Sequence, residues 1–188
     1  MLGRLMRTLG TAMILVGLGL IALFFVGPPG GTAGNIPAEA QTSSTTSPEE
    51  DDTTTLYLTV PKIGIEDLKV YDSSSEERLD ESAIHLPETG FPWQEGANTY
   101  IAGHRMGFFG TDSFLVFFRL NELAPGDKVV LEDTAGGRYV YWVTETLVVG
   151  PEDTQVLEPV VGKSIVSLQT CTLPDYSDRL IVRGELVT

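Results

Sequence analysis

The sequence predicts a mostly β domain, an eight-stranded barrel with one or two short helices, preceded by a single N-terminal transmembrane helix. Three observations carry this expectation. Between Leu56 and Val187 about eight short runs rich in strand-forming residues follow at close spacing, separated by Gly, Pro and polar turns, which is the pattern of a closed or nearly closed barrel. The last of these runs alternate with period two, as half-buried strands do. Ahead of them, no charged residue occurs from Thr8 to Ala38, and Leu9 to Val26 is almost wholly apolar, about the length that crosses a bilayer core as a helix.

Residues 1–8 carry Arg4 and Arg7 and no acid, so the positive-inside rule keeps them cytoplasmic and sends everything after the apolar span outside. Residues 9–27 are read as an uncleaved anchor. The competing reading is a cleaved signal peptide, because Ala38-Glu39-Ala40 imitates a small-x-small cleavage site. The apolar run is longer than a usual signal core and the candidate site lies far beyond it; both readings export the domain. Residues 28–55 are Gly, Pro, Ser and Thr ending in the acidic cluster Glu49 to Asp52, with almost nothing to build a core, and read as a disordered extracellular stalk. Residues 56–188 are then the folded domain. With 12 basic and 26 acidic residues the chain carries a formal charge of −14. It has no run of Lys or Arg, which argues against nucleic acid as a partner.

Within the domain, Leu56 to Val60 reads as a strand that Pro61 turns, and Ile63 to Ile65 and Leu68 to Tyr71 as two further short strands. Ser75 to Ala83 opens with Ser followed by Glu at the spacing helix starts favour, predicting a short helix. Ile84 to Asn98 holds Pro87, Gly90, Pro92 and Gly96 and is expected to be loop. Asn98 to His104 is a strand. Phe114 to Leu123 is apolar and aromatic, and its periodicity leaves helix and strand both open. Pro125-Gly126-Asp127 is a turn, and Lys128 to Glu132 and Arg138 to Val149 form a hairpin across Thr134 to Gly137. Pro151 to Leu157 reads as one helical turn with acids at its N-terminal end. Ser164 to Cys171 is a strand that Pro174 stops, and Arg179 to Val187 is the last one.

Chemistry concentrates at the junction of those two strands. Cys171 is the only cysteine, so in an exported chain it has no intramolecular disulfide partner and is either a packed apolar thiol or a reactive one. Arg179 opens the next strand, and a nearby cation favours thiolate over thiol. The chain has two histidines, and a thiol nucleophile needs a proton carrier. His104 ends a strand among small residues, from which it can reach a neighbouring strand end. His85 sits in a loop segment that suits binding. Either can equally be a hydrogen-bonded structural histidine. No zinc or calcium ligand spacing, phosphate-cradling loop or G-x-S-x-G elbow occurs, so no metal or cofactor is expected.

Leu168-Gln169-Thr170-Cys171 with Arg179-Leu180-Ile181-Val182 resembles the signature of the sortases, in which a T-L-x-T-C strand is followed by a strand opening on an arginine. Ile101-Ala102-Gly103-His104-Arg105 is similar to the family's histidine segment, Pro61 to Ile65 to its first strand, and Asp153 to Leu157 to the stretch before the cysteine strand. The short spacing and the Arg183-Gly184 pair look more like classes C, D or E, of Gram-positive and actinobacterial type, than class A.

The resemblance implies an eight-stranded β-barrel and a cysteine transpeptidase. In it Cys171 attacks the Thr–Gly carbonyl of an LPxTG- or LAxTG-like sorting signal, and His104 exchanges protons with the leaving and incoming amines. Arg179 donates hydrogen bonds to substrate or oxyanion, and Thr170 and His85 help hold substrate. The implied partners are signal-bearing surface or pilin proteins and an amine from a peptidoglycan precursor or a pilin lysine. Three departures stand out. Ala97-Asn98 stands where many members of the family have Gly-Asn, which bears on the loop before the histidine. Ser167 replaces the family Thr, at a position expected to be a strand surface, and Arg183 shares a strand face with Arg179. Leu86 to Gly90 is itself an LPETG sequence, read as a Pro/Gly loop, with a self-bound pseudosubstrate as the sharper alternative. The other class of function left open is a non-catalytic surface β-barrel that binds a partner and merely packs Cys171.

Overall fold

The computed structural model describes residues 55–187. The expected anchor and most of the stalk lie outside the described residues. Among those described, no helix is long and apolar enough to cross a membrane.

Eight strands form a closed barrel in the order β1-β2-β3-β4-β7-β8-β6-β5, where β1 is Leu56–Val60, β2 Ile65–Asp72, β3 Ala83–His85, β4 Asn98–Ala102, β5 Lys128–Asp133, β6 Arg138–Val149, β7 Ile165–Cys171 and β8 Arg179–Leu186. Closure removes every sheet edge, the usual liability of an all-β chain. Most neighbours are antiparallel, but β2 with β3 and β4 with β7 run parallel, so each of these pairs needs a crossover. The first crossover contains the one α-helix among the described residues, α1 (Glu76–Glu81), where Ser75 is the N-cap and accepts from the Arg78 N–H at 3.3 Å.

The inward residues make one apolar core, with Leu56, Leu58, Val129, Leu131, Val166, Leu168 and Val182 among its buried members. Inward and outward positions alternate most clearly on β1, where Leu56, Leu58 and Val60 are buried and Tyr57 is exposed.

Four elements differ from expectation. Of the runs at 63–65 and 68–71, only Ile65 and the second belong to a strand, β2; Ile63 ends a 3-10 turn, Pro61–Ile63, that Gly64 closes with φ of 78°, a left-handed conformation that suits glycine. The segment taken as loop from Ile84 contains β3, three residues that are all buried and so show no alternation. Phe114 to Leu123 is neither α-helix nor strand, though Leu120–Glu122 forms a short 3-10 helix. It is a string of i to i+3 turns, broken where Leu115 has φ of 56°, that lowers Phe117, Leu120 and Leu123 into the core. The turn before β7 is a 3-10 helix at Thr154–Leu157, shorter than the expected helical turn.

Candidate active site

Three strand ends meet at one place on the barrel. On β7, Val166, Leu168 and Thr170 point inward, which sends Ser167, Gln169 and Cys171 to the other face. Cys171 is a free, partly exposed thiol. Its partner across β7–β8 is Arg179, the last rung of that ladder, so the two side chains leave the same face. On the other flank, β4 runs parallel to β7 with Ala102 opposite Gln169, and the pairing continues with Gly103 N–H donating to Gln169 C=O at 3.0 Å. β4 ends at Ala102, short of the expected His104, which follows two residues beyond the strand end on the side of the barrel where Cys171 ends the parallel β7.

Local packing fixes each of these ends. A Cβ on Gly103 would lie 2.6 Å from the Phe117 ring, so only glycine lets the chain pass under that side chain on its way to His104. Phe117 N–H donates to the His104 carbonyl at 3.2 Å. The imidazole Nε2 lies 2.9 Å from Asp80 Oδ1 of α1, and the ring meets the Phe108 ring edge-on at 5.7 Å. The Arg179 guanidinium donates from Nη1 to the Tyr176 and Asp178 carbonyls, both at 3.2 Å, which ties it to the β7–β8 connection. It makes no ion pair among the described residues.

Beside Arg179 a cleft opens, walled by Leu86, Val149, Val156 and Leu157 and floored by Gln169. Its far wall, the 150–158 segment, is pinned from beneath. Asn98, fully buried, aims its Nδ2 at the carbonyls of Val156, Leu157 and Glu158 at 3.0, 3.1 and 3.3 Å. Its Oδ1 accepts from Ser167 Oγ at 2.8 Å. Arg183 adds a bond from Nη2 to the Val156 carbonyl at 3.1 Å and one to Glu145 at 3.3 Å. Arg183 therefore holds the wall, two rungs below Ser167's neighbour Gln169 and four residues from Arg179. On the floor, Tyr100 donates its hydroxyl to Gln169 Oε1 at 2.7 Å. Burial pushes the Tyr100 phenol well above its ordinary pKa, against the opposing pull of Arg183 and Arg179, so it stays a neutral donor.

Three expectations are corrected. Thr170 faces the barrel interior with Leu168, and its buried hydroxyl has no hydrogen-bond partner among the described residues, so strand alternation turns that side chain away from the cleft. His85 is not in a mobile loop: it ends β3, is fully buried, and its Nδ1 lies 2.7 Å from Asp72 Oδ1. Its Nε2 lies 3.2 Å from both the Gly90 carbonyl and Thr89 Oγ1, so this histidine fastens the LPETG turn instead of facing solvent. Ser167 is not at a strand surface but wholly buried against Asn98.

The LPETG segment contributes Leu86 to the cleft wall, but Thr89 and Gly90 are committed elsewhere. Thr89 Oγ1 donates to the Leu86 carbonyl at 2.7 Å and Gly90 N–H to the Asn98 carbonyl at 3.2 Å. Sequence reasoning missed Asp80, Asn98 and the part played by Ser167. Asp80 carries no local signal, whereas Asn98 stood visible as an amide opening a buried strand.

The sortase domain model matches residues 58–187. Sortase A of Bacillus anthracis is 33% identical over 131 residues, covering 69% of this chain and 58% of that one. Sortase SrtE1 of Streptomyces coelicolor is 32% identical over 145 residues, covering 69% of this chain and 39% of that one. The chain spans 37% to 58% of the length of the curated relatives it matches. Among solved structures, sortase C1 of Streptococcus agalactiae superposes with a TM-score of 0.65 at 29% identity, covering 77% of this chain and 72% of that one. Sortase A of Corynebacterium diphtheriae gives 0.63 at 28% identity, covering 71% and 60%.

Proposed function

Since this chain belongs to the sortase family, we propose that it is a membrane-anchored cysteine transpeptidase that cuts an LPxTG- or LAxTG-like sorting signal between Thr and Gly and passes the acyl group to an amine. The observation that carries this reading is the pairing of Cys171 with Arg179 on the last β7–β8 rung, with Arg179 lining a largely apolar cleft and His104 two residues past the end of the adjoining β4.

In the proposed reaction the Leu-Pro part of the signal fills the cleft between Leu86, Val149, Val156 and Leu157, where aliphatic contact favours an apolar pair. The Cys171 thiolate attacks the Thr carbonyl carbon. A C–S bond forms, the carbonyl oxygen takes up the negative charge, and Arg179 donates hydrogen bonds to it. Removal of one such donor typically costs about 10² to 10³ in rate. As the intermediate collapses, the C–N bond breaks and the glycine nitrogen takes a proton from the His104 imidazolium. The acceptor amine then attacks the thioester, gives its proton back to His104 and releases the Cys171 thiolate. Signal-bearing surface or pilin proteins supply the acyl group, and a peptidoglycan precursor or a pilin lysine supplies the amine.

The Arg-flanked apolar span at 9–27 supports an anchor that leaves the catalytic domain on the extracellular side. There a lone cysteine is free of disulfide partners. Incubating the full chain with a labelled sorting peptide and an amine such as triglycine is the test. Cleavage between Thr and Gly with capture of triglycine is expected. An intact peptide after long incubation, with Cys171 unreactive to thiol reagents, would leave instead a binding barrel with a packed cysteine.

A further inference from the structure

His104 is held on three sides. Its carbonyl accepts from Phe117, its ring packs against the edge of Phe108, and its Nε2 meets Asp80 Oδ1 at 2.9 Å. A carboxylate at this distance is an acceptor only, so Nε2 carries the hydrogen of that contact in either charge state of the ring. The nitrogen left to exchange protons is Nδ1.

Asp80 is itself fastened. Its backbone carbonyl accepts from Thr111 Oγ1 at 2.9 Å and from Ser113 Oγ at 2.7 Å, and the next carbonyl, of Glu81, accepts from Ser113 N–H at 3.0 Å. Ser113 is wholly buried. The end of α1 is thus clamped onto the connection between β4 and β5, the same connection that supplies Phe108 and Phe117 to His104. Two stretches far apart in sequence deliver one carboxylate to one ring nitrogen.

From this arrangement we infer that Asp80 is the positioning residue of the reaction: it fixes the His104 ring through Nε2–H and leaves Nδ1 as the atom that serves the leaving and incoming amines. The inference rests on the role given to His104 above. In acylation the Nδ1 proton goes to the glycine nitrogen as the C–N bond breaks. In the second half the neutral acceptor amine attacks the thioester, and its nitrogen gives one proton to Nδ1 as the new C–N bond forms and the C–S bond breaks. The Nε2 proton stays on the ring throughout, shared with Asp80. Asp80 touches no reacting atom; it acts through His104.

The Asp80 side chain is 46% exposed, so replacing it opens no cavity. In the full chain, Asp80→Leu is expected to lower kcat for peptide transfer about tenfold, the scale of losing ring orientation, with KM within about twofold. Asp80→Asn keeps an acceptor oxygen and is expected to restore kcat to within about threefold of the unmodified chain. A second readout needs no substrate. The NMR order parameter of the His104 Cε1–H bond is expected to fall in Asp80→Leu and recover in Asp80→Asn. If the unmodified chain transfers no peptide, the reading of function fails, while the ring measurement still decides whether Asp80 holds His104. Unchanged kcat and ring order in Asp80→Leu, or a loss in KM alone, would overturn the inference.

Discussion

Cys171 and Arg179 are register partners on the last rung of the β7–β8 ladder, and both side chains leave the face of the sheet that carries Gln169. Their adjacency is set by backbone hydrogen bonding, so it does not depend on flexible loops. Arg183 occupies the same face but partners Ser167, and its guanidinium is spent on Val156 and Glu145. The two arginines therefore answer differently to substitution. Arg179→Ala is expected to cut kcat by about 10² or more with little change in melting temperature, because the group lost is the proposed donor to the oxyanion. Arg183→Ala is expected to lower the melting temperature and raise KM. Steady-state kinetics beside thermal denaturation checks both, and reversed behaviour would mean the roles are assigned to the wrong residues.

Asn98 is a small lever on a large wall. Its amide serves three consecutive carbonyls of the 156–158 stretch, and Asn98→Ala leaves these and the Ser167 hydroxyl without that partner. The cost expected is about 2 to 3 kcal/mol of stability. Because Val156 and Leu157 form the cleft wall, KM for the sorting peptide is also expected to rise. Urea denaturation and peptide titration measure the two effects separately.

Thr170 gives the opposite forecast. Its buried hydroxyl faces the core with no hydrogen-bond partner among the described residues, so Thr170→Val exchanges an uncompensated polar group for a methyl. Stability is expected to be unchanged or higher by up to about 1 kcal/mol, with kcat intact. A hundredfold loss of activity would show that the hydroxyl reaches the substrate after all.

At the far turns, Asp127 accepts from Lys62 Nζ and from the Ala124 N–H, each at 2.6 Å, and the Lys62 bond comes first in holding its carboxyl below the usual range. A group with a depressed folded-state pKa stabilises the fold above its unfolded pKa and loses that contribution as pH falls through the folded value. Both side chains are solvent-accessible, so the effect is small, about 0.5 kcal/mol. Asp127→Asn is thus expected to be slightly less stable at pH 7, with the gap closing below about pH 4. Thermal melts across that range check the sign.

Much of this was legible in the sequence because β periodicity is local. The 128–149 hairpin and the 165–186 pair declared themselves through alternation and turn chemistry. What failed was non-local. Strand β3 is three buried residues whose identity as a strand depends on β2 and β4 lying on either side. The 114–123 stretch has a helical density of apolar residues, yet it is bent by bonds to Met106 and His104 that no window of sequence contains. The same holds at the site. Cys171 and Arg179 lie on recognisable strand ends and His104 two residues past one, but Asp80 is one acid among several on a short helix. Only the clamp through Thr111 and Ser113 singles it out. His85 misled because Pro and Gly around it signal loop, while its own environment is interior.

The central claim is that Cys171 becomes acylated by a sorting signal. Intact-mass spectrometry of the full chain, quenched in acid during turnover of an LPxTG peptide without added amine, tests it most directly. The expected result is an adduct equal to the peptide up to and including its Thr, mapped to Cys171 and absent in Cys171→Ala. Peptide cleavage with no adduct in the unmodified chain, or cleavage that persists in Cys171→Ala, would contradict it.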